Sequence, residues 1–331
     1  MKQYVLITGI TGELGAALAE VLVELKIPTA CIIRKDKSEY DLDLGPFKVL
    51  KTDITDRENL FKYVNELKGK VHAVAHMASA RRDKTEKELR ETIVDGTLHL
   101  YDFAKEIGCP KFLYFSSTFA AGSVPREVPY IDETFMPNKK RLSCFGKMKL
   151  AAEEKLLSLS KVNITKVIIL RAGNIYGPPT KLSFIKAVVD IIKNREKVLY
   201  HRARRSVIWS PIYVQDAIEL ILKLLLEEKE FNNQVYFLTG SEVVTLDLLV
   251  KILLDEMHIP AKAMELGFRG KCDFAFKKFV DLFRCFIDSP SFPNSIYSNN
   301  KLKNDFGFMP KTGVREGVPY TYKWALAKGA I

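Results

Sequence analysis

The sequence predicts an α/β fold built on a doubly wound, mainly parallel sheet. Short apolar runs alternate with segments of helical period from residue 4 to about residue 178. A glycine-rich stretch, Thr8-Gly9-Ile10-Thr11-Gly12-Glu13-Leu14-Gly15, lies between the first apolar run and the first helical segment. With 47% hydrophobic residues in 331, the chain has material for one large domain, or for a cofactor domain fused to a smaller one.

Tyr4-Val5-Leu6-Ile7 reads as the first strand, and Leu14, Leu18, Val21, Leu22 and Leu25 recur on one face of the helix behind it. A strand, a glycine turn and a helix, in that order, make a dinucleotide site. Gly9 permits the tight turn, Gly12 lets the backbone approach a pyrophosphate, and Gly15 lets the helix pack closely on the sheet. The helix N-terminus offers N–H groups and a partial positive charge to the phosphates. The arrangement is of Rossmann type and favours a nucleotide cofactor over a plain turn.

The second run, Thr29-Ala30-Cys31-Ile32-Ile33, ends in Arg34-Lys35. An acid at this place would bond the ribose 2′-OH, whereas an Arg suits a 2′-phosphate, so NADP(H) is expected ahead of NAD(H). A third strand, Phe47-Lys48-Val49-Leu50, leads to Thr52-Asp53-Ile54-Thr55-Asp56. Asp53 is placed to accept from an adenine amino group, and Asp56 to cap the next helix. The fourth strand ends in His76-Met77-Ala78-Ser79, where small residues let a cofactor lie close. A helix is expected from about residue 85 to 107. The fifth strand, Phe112-Leu113-Tyr114-Phe115, ends in Ser116-Ser117-Thr118, and a helix over about 146–160 precedes a sixth strand over 165–170. Ligands of such sheets sit beyond the carboxyl ends of the strands, where Gly9, Arg34, Asp53, His76 and Ser117 all fall.

The alternation loosens after Arg171-Ala172-Gly173-Asn174-Ile175-Tyr176-Gly177-Pro178-Pro179. Helices are expected over 184–193, 217–226 and 246–257, and a strand over 235–238. Residues 1–178, with later contributions from about 206–239, are expected to form the NAD(P)-binding Rossmann domain. Residues 179–205 and 240–331 are expected to form a smaller, mostly helical substrate-binding part. No repeat, low-complexity segment or linker divides them.

The net charge of +11 is spread along the chain, and the clusters Lys139-Lys140-Arg141 and Arg202-Ala203-Arg204-Arg205 are short. This reads as a solvated surface biased toward anionic ligands, with no nucleic-acid role expected. The five cysteines are scattered without metal-ligand spacing and the five histidines form no metal motif, so reduced thiols and no metal site are expected. No apolar run reaches about 18 residues and no signal-peptide pattern is present, so a soluble, cytoplasmic protein without a membrane partner is the expectation.

Together these motifs resemble the extended short-chain dehydrogenase/reductases of the NAD-dependent epimerase/dehydratase family. Thr8-Gly9, Gly12 and Gly15 match the cofactor turn, Asp53 the adenine-contacting acid, and Phe115-Ser116-Ser117 with Gly122 the strand of the catalytic hydroxyl. Arg171 and Asn174-Ile175-Tyr176-Gly177-Pro178, Tyr213-Val214-Gln215-Asp216-Ala217 and the closing run from Asn300 to Pro310 match later segments, so the resemblance covers nearly the whole length. It implies an NAD(P)-dependent oxidoreductase or epimerase/dehydratase acting by hydride transfer on a sugar nucleotide or a small hydroxy/keto substrate, and a homodimer. The implied cofactor residues are Thr8, Gly9, Thr11, Gly12, Glu13, Leu14, Gly15, Arg34, Asp53, Ile54, Met77, Ala78, Ser79, Ser116 and Lys149. Ser117, Thr118 and Lys149 frame the reacting carbon, and Asn174, Arg205 and Trp209 face the substrate.

Family chemistry, as the resemblance implies it, uses a Tyr phenol as proton donor or acceptor and a Lys one turn later to stabilise the phenolate. The need is physical, because a phenol titrates near about 10 and general acid–base work is best near the operating pH. Here the Lys is Lys149, but the Tyr position holds Phe145. Three readings stay open: an engineered replacement, natural chemistry with Ser117, Thr118 or a bound water as acid/base, or a catalytically impaired NAD(P)-binding or sensing protein. Ile93, where relatives often carry Asn, favours natural divergence. Trp209 stands where nucleotide-sugar enzymes often place an Arg for the pyrophosphate. Arg204 or Arg205 could replace it, or the pocket suits a less charged ketone or alcohol, as in the steroid dehydrogenase and dihydroflavonol reductase branches.

Overall fold

The computed structural model describes residues 3–35, 43–122, 130–179, 183–194, 208–227, 231–264 and 296–331. Its centre is a seven-stranded sheet of β1 (Tyr4–Thr8), β2 (Thr29–Ile33), β3 (Lys48–Lys51), β4 (Val71–His76), β5 (Lys111–Ser117), β6 (Lys166–Ala172) and β7 (Gln234–Leu238). The order across the sheet is β7-β6-β5-β4-β1-β2-β3. The pairings from β6 to β3 are all parallel. β2 is buried at every position and β4 at all but one, as expected of strands covered on both faces. The doubly wound fold expected from the alternation is the fold observed, and its strand order reverses between β1 and β4, the usual crevice for a ligand.

Helix α1 (Glu13–Glu24) follows β1 directly and buries Gly15, Ala17, Leu18, Ala19 and Leu22. Asp56 caps α2 (Arg57–Phe61) as expected, accepting from Asn59 N at 3.1 Å. The helix expected over 85–107 is not uniform. It begins as α3 (Glu86–Leu89), runs through a π segment at Arg90–Asp95 and continues as α4 (Gly96–Glu106). Apolar periodicity does not register one extra residue in a turn, so the π segment was invisible in the sequence. Helix α5 (Cys144–Val162) buries Met148, Lys149, Ala152, Glu153 and Leu156.

The chain divides into two compact units. The first comprises Met1–Ala121, Cys144–Ala172 and Ile218–Phe237, and holds the sheet core. Leu6, Val74, Leu100, Tyr101, Phe112 and Leu156 belong to its apolar cluster. The second comprises Gly122–Ser143, Gly173–Ala217 and Leu238–Ile331. Its core gathers Ile185, Val188, Leu249, Leu253, Val318 and Tyr322, and Asp216 fastens its C-terminal segment by accepting from Lys311 N and Thr312 N. Among the described residues, no helix is long and apolar enough to cross a membrane.

A buried ion pair ties the carboxyl ends of β5 and β6 to α5. Ser116 and Arg171 are register partners on adjacent strands, so their side chains leave the sheet on one face. Both meet Glu153: Arg171 donates from Nε at 3.1 Å and from Nη2 at 2.7 Å, and Ser116 Oγ also donates to it. Removing one partner of such a pair strands the other charge, so Glu153→Ala is expected to lower stability by about 3 kcal/mol or more. Urea unfolding measures this, and a loss below about 1 kcal/mol would contradict it.

Candidate dinucleotide and active site

A groove of about 620 Å³ runs along the carboxyl ends of β1 to β4 within the first unit. This volume falls within the range of pockets that hold small molecules and cofactors. Its floor is the glycine turn. Gly9 has φ +74°, and a Cβ there would lie 2.6 Å from Ala78 N. A Cβ on Gly15 would lie 2.1 Å from Gly9 O, so helix, turn and β4 meet backbone to backbone. Gly12 caps α1 with extended backbone and gives it no side-chain hydrogen bond, which suits that end to an anion. These features fit a dinucleotide.

Of the expected cofactor residues, Thr8, Gly9, Thr11, Gly12, Arg34, Asp53, Ile54, Met77, Ala78 and Ser79 line this groove. Five others do not. Gly15 is buried against the turn, Glu13 is exposed, and Leu14 is half-buried. Ser116 faces Glu153 inside the core, and Lys149 is buried. Arg34 is 74% exposed and its guanidinium lies 3.9 Å from Asp53. The Asp53 carboxylate also accepts from Thr55 N and Thr55 Oγ1, both at 2.9 Å.

Arg81, Lys84, Glu88, Glu91 and Thr92 also line the groove, and sequence reasoning missed them. The available signal was the capping box Thr85-x-x-Glu88, which fixes the start of α3 and so the face that Glu88 and Thr92 share.

The second cluster lies where β5 ends and α5 begins. Thr118–Ala120 forms a single 3₁₀ turn packed on α5. Ser117 Oγ accepts from Phe119 N at 3.3 Å and is half-buried, while Thr118 is buried. Phe145 meets Phe119 edge to face at 5.9 Å between ring centres. One turn later, Lys149 Nζ donates to Phe115 O at 2.7 Å. It lies 4.9 Å from the centre of the Tyr114 ring and 5.8 Å from that of Phe145. Burial lowers the Lys149 ammonium to about 7, and nearby Glu153 opposes that shift. Ser117, Phe145 and Lys149 are thus brought to one place, and none of them lines the groove.

Asn174 belongs to the second unit, where it is half-buried and its carbonyl accepts from Ile212 N at 2.9 Å. The Trp209 backbone pairs with Val244. Its side chain, and all of Arg204 and Arg205, lie outside the described residues. Among the described residues, no group of His, Cys, Asp and Glu is arranged to hold a metal ion.

Lys149 titrates lower in the folded chain than the usual 10.5 of an unfolded one. Between about pH 7 and 10 the unfolded chain therefore binds more protons at this side chain, and its contribution to stability rises with pH. Lys149→Met is expected to raise the urea midpoint at pH 7 and to remove part of its rise between pH 7 and 9. Parallel pH dependences in both proteins would refute this.

The profile of a family described as the NAD dependent epimerase/dehydratase family matches residues 5–238. A UDP-N-acetyl-alpha-D-glucosaminuronate decarboxylase of Bacillus cytotoxicus is 22% identical over 332 residues, spanning 98% of each chain. A dTDP-D-glucose 4,6-dehydratase of Dictyostelium discoideum is 25% identical over 366 residues, spanning 97% of this chain and 81% of that one. Among solved structures, the enzyme WbmG of Bordetella bronchiseptica in complex with NAD has a TM-score of 0.75 at 19% identity, covering 100% of this chain and 96% of that one. The UDP-glucose 4-epimerase of Thermotoga maritima with UDP-glucose has a TM-score of 0.75 at 18% identity, covering 98% and 99%. At these identities the structural likeness speaks for the fold.

Proposed function

This chain belongs to the NAD dependent epimerase/dehydratase family, and we propose that it is an NAD(P)-dependent enzyme acting on a sugar nucleotide. The observation that carries the reading is the groove itself, which joins the glycine turn, the α1 N-terminus and the ends of β2 to β4. Thr8 to Gly12 would hold the pyrophosphate, Asp53 and Ile54 the adenine, and Met77 to Ser79 the rim toward the nicotinamide. When bound, the nicotinamide accepts or donates a hydride.

The protein's own residues then have separable tasks. Ser117 orients the substrate oxygen with its hydroxyl. Lys149, lowered to about 7 by burial, supplies positive charge one turn from Phe145 when protonated, and Phe145 provides an apolar wall with no proton. The proton transfer therefore falls to Ser117, Thr118 or a bound water. Relatives that act on UDP- and dTDP-sugars support a nucleotide-linked sugar over a free hydroxy or keto compound. Arg34 and Lys35 support NADP(H) ahead of NAD(H), because an exposed guanidinium at the end of β2 suits a 2′-phosphate. Phe145 favours one second reading, binding without turnover. A homodimer, as the resemblance implies, is a further expectation that light scattering tests.

Fluorescence titration with NADPH and NADH is the deciding experiment. Saturable binding is expected, tighter for NADPH by about tenfold, the effect of one charge-assisted contact. A preference for NADH would reject the Arg34 argument, and binding of neither would reject the enzyme reading. With UDP- and dTDP-sugars as probes, Phe145→Tyr is expected to raise turnover, and Ser117→Ala to lower it by about 10²-fold with nucleotide affinity unchanged. Function unaffected by Ser117→Ala would favour binding without turnover.

A further inference from the structure

Three residues form a polar row across the sheet beneath the groove, and a fourth, Thr97, joins it from a helix. Thr8 and Tyr114 are the register partners of His76 on its two sides, so all three side chains leave the same face. The His76 imidazole is fully buried. Its Nδ1 lies 2.6 Å from Thr8 Oγ1 and its Nε2 2.8 Å from Thr97 Oγ1. The Tyr114 ring stands 5.5 Å away, and Lys149 Nζ lies over that same ring.

The direction of every hydrogen bond in this chain is determined. Thr97 has one hydroxyl hydrogen, and it goes to Ile93 O at 2.7 Å, within the π segment. Thr97 Oγ1 must therefore accept from His76, which puts the imidazole proton on Nε2. Nδ1 is then an acceptor and takes the Thr8 hydroxyl hydrogen. Thr8 Oγ1 in turn accepts from Ala78 N at 3.2 Å. The relay runs Ala78 to Thr8 to His76 to Thr97 to Ile93 without a mismatch. It joins three walls of the groove: the end of β1, the residues after β4, and the helix that carries Glu91 and Thr92.

We propose that His76, held as the neutral Nε2–H tautomer, is the positioning residue that sets the width of the dinucleotide groove. This rests on the cofactor reading above. The imidazole is fully buried and does not line the groove. It acts through Thr8 and Ala78, at the place where Gly9 approaches the Ala78 backbone. Burial and the Lys149 ammonium hold the imidazole down to about 3, so it stays neutral across the working range. The groups facing it are Lys149 from α5, Tyr114 from β5, Thr8 from β1 and Thr97 from α4, with Glu153 beyond Lys149 on the same helix.

The full chain, labelled with ¹⁵N-histidine, tests the tautomer by NMR, with His76→Gln identifying the signal. A protonated Nε2 and a bare Nδ1, unchanged from pH 5 to 8, are expected. A proton on Nδ1, or titration within that range, would overturn the proposal. NADH and NADPH titrations of variants test the positioning. His76→Phe keeps the ring and loses both bonds, and is expected to weaken binding by about tenfold or more. His76→Gln can accept from Thr8 and donate to Thr97, and is expected to bind within about threefold of the unsubstituted chain. Thr97→Val, outside the groove lining, is expected to weaken binding by an intermediate factor, which keeps the test alive if His76→Phe does not fold. A purely structural role would lower the melting temperature and leave nucleotide affinity alone, and that result would overturn the inference while the cofactor reading stands. If the unsubstituted chain binds neither nucleotide, both fall.

Discussion

At the carboxyl edge of the sheet, the backbone leaving β1 passes so close to the backbone leaving β4 that no side chain fits between them. A Cβ on Gly9 would sit 2.6 Å from Ala78 N and 2.8 Å from the Met77 carbonyl carbon. On its other side, Gly9 O fills the space that a Cβ on Gly15 would need. This three-way contact fixes the start of α1 against the sheet, and the rest of the groove is built around it. The residues after β2 and β3 form one wall, and the residues after β4 together with the π segment form the other. The chemistry expected of the site depends on this approach, because a helix N-terminus favours an anion only within about its first turn.

The interior of the first unit carries more polar groups than a plain core requires, and they follow the sheet register. Ser116 and Arg171 face Glu153 because they are paired across β5 and β6. Thr8, His76 and Tyr114 form a row because they are paired across β1, β4 and β5. Charge is handled differently in the two rows. Arg171 and Glu153 pair as opposite charges, with Arg171 Nη1 left without a hydrogen-bond partner among the described residues, whereas the His76 imidazole, its pKa lowered by burial, bonds Thr8 and Thr97. Lys149 belongs to both: it is one helical turn from Glu153 and it stands over the ring that His76 packs against. The groove and the Ser117–Lys149 cluster are therefore linked through packed, buried side chains.

Phe145 is integrated in this packing. It meets Phe119 edge to face, and the Arg82 guanidinium lies 4.9 Å from the centre of the Phe119 ring. Cations thus stand at both ends of the aromatic pair, with Lys149 near Phe145 and Arg82 near Phe119. Such contacts are worth about 0.5–2 kcal/mol depending on solvation, so this corner is held by cation–aromatic attraction without a hydroxyl.

The sequence by itself determined the fold class and the position of the glycine turn. Alternating apolar runs and the strand–turn–helix order are local patterns, and their physical causes act over a few residues. That Ser117 and Lys149 frame a reacting carbon was implied by the family resemblance of the motifs around them, not by spacing. The sequence did not reveal the π segment, because an extra residue in a helical turn leaves the apolar period nearly intact. It did not reveal that Ser116 turns from the groove into the core, because the pairing of Ser116 with Arg171 spans 55 positions and depends on register. His76 was legible as a strand end but not as a joint, since its partners Thr8 and Thr97 are 68 and 21 positions away. Hydrogen-bond direction and buried charge are settled only when distant strands meet, and the tertiary structure alone decided them.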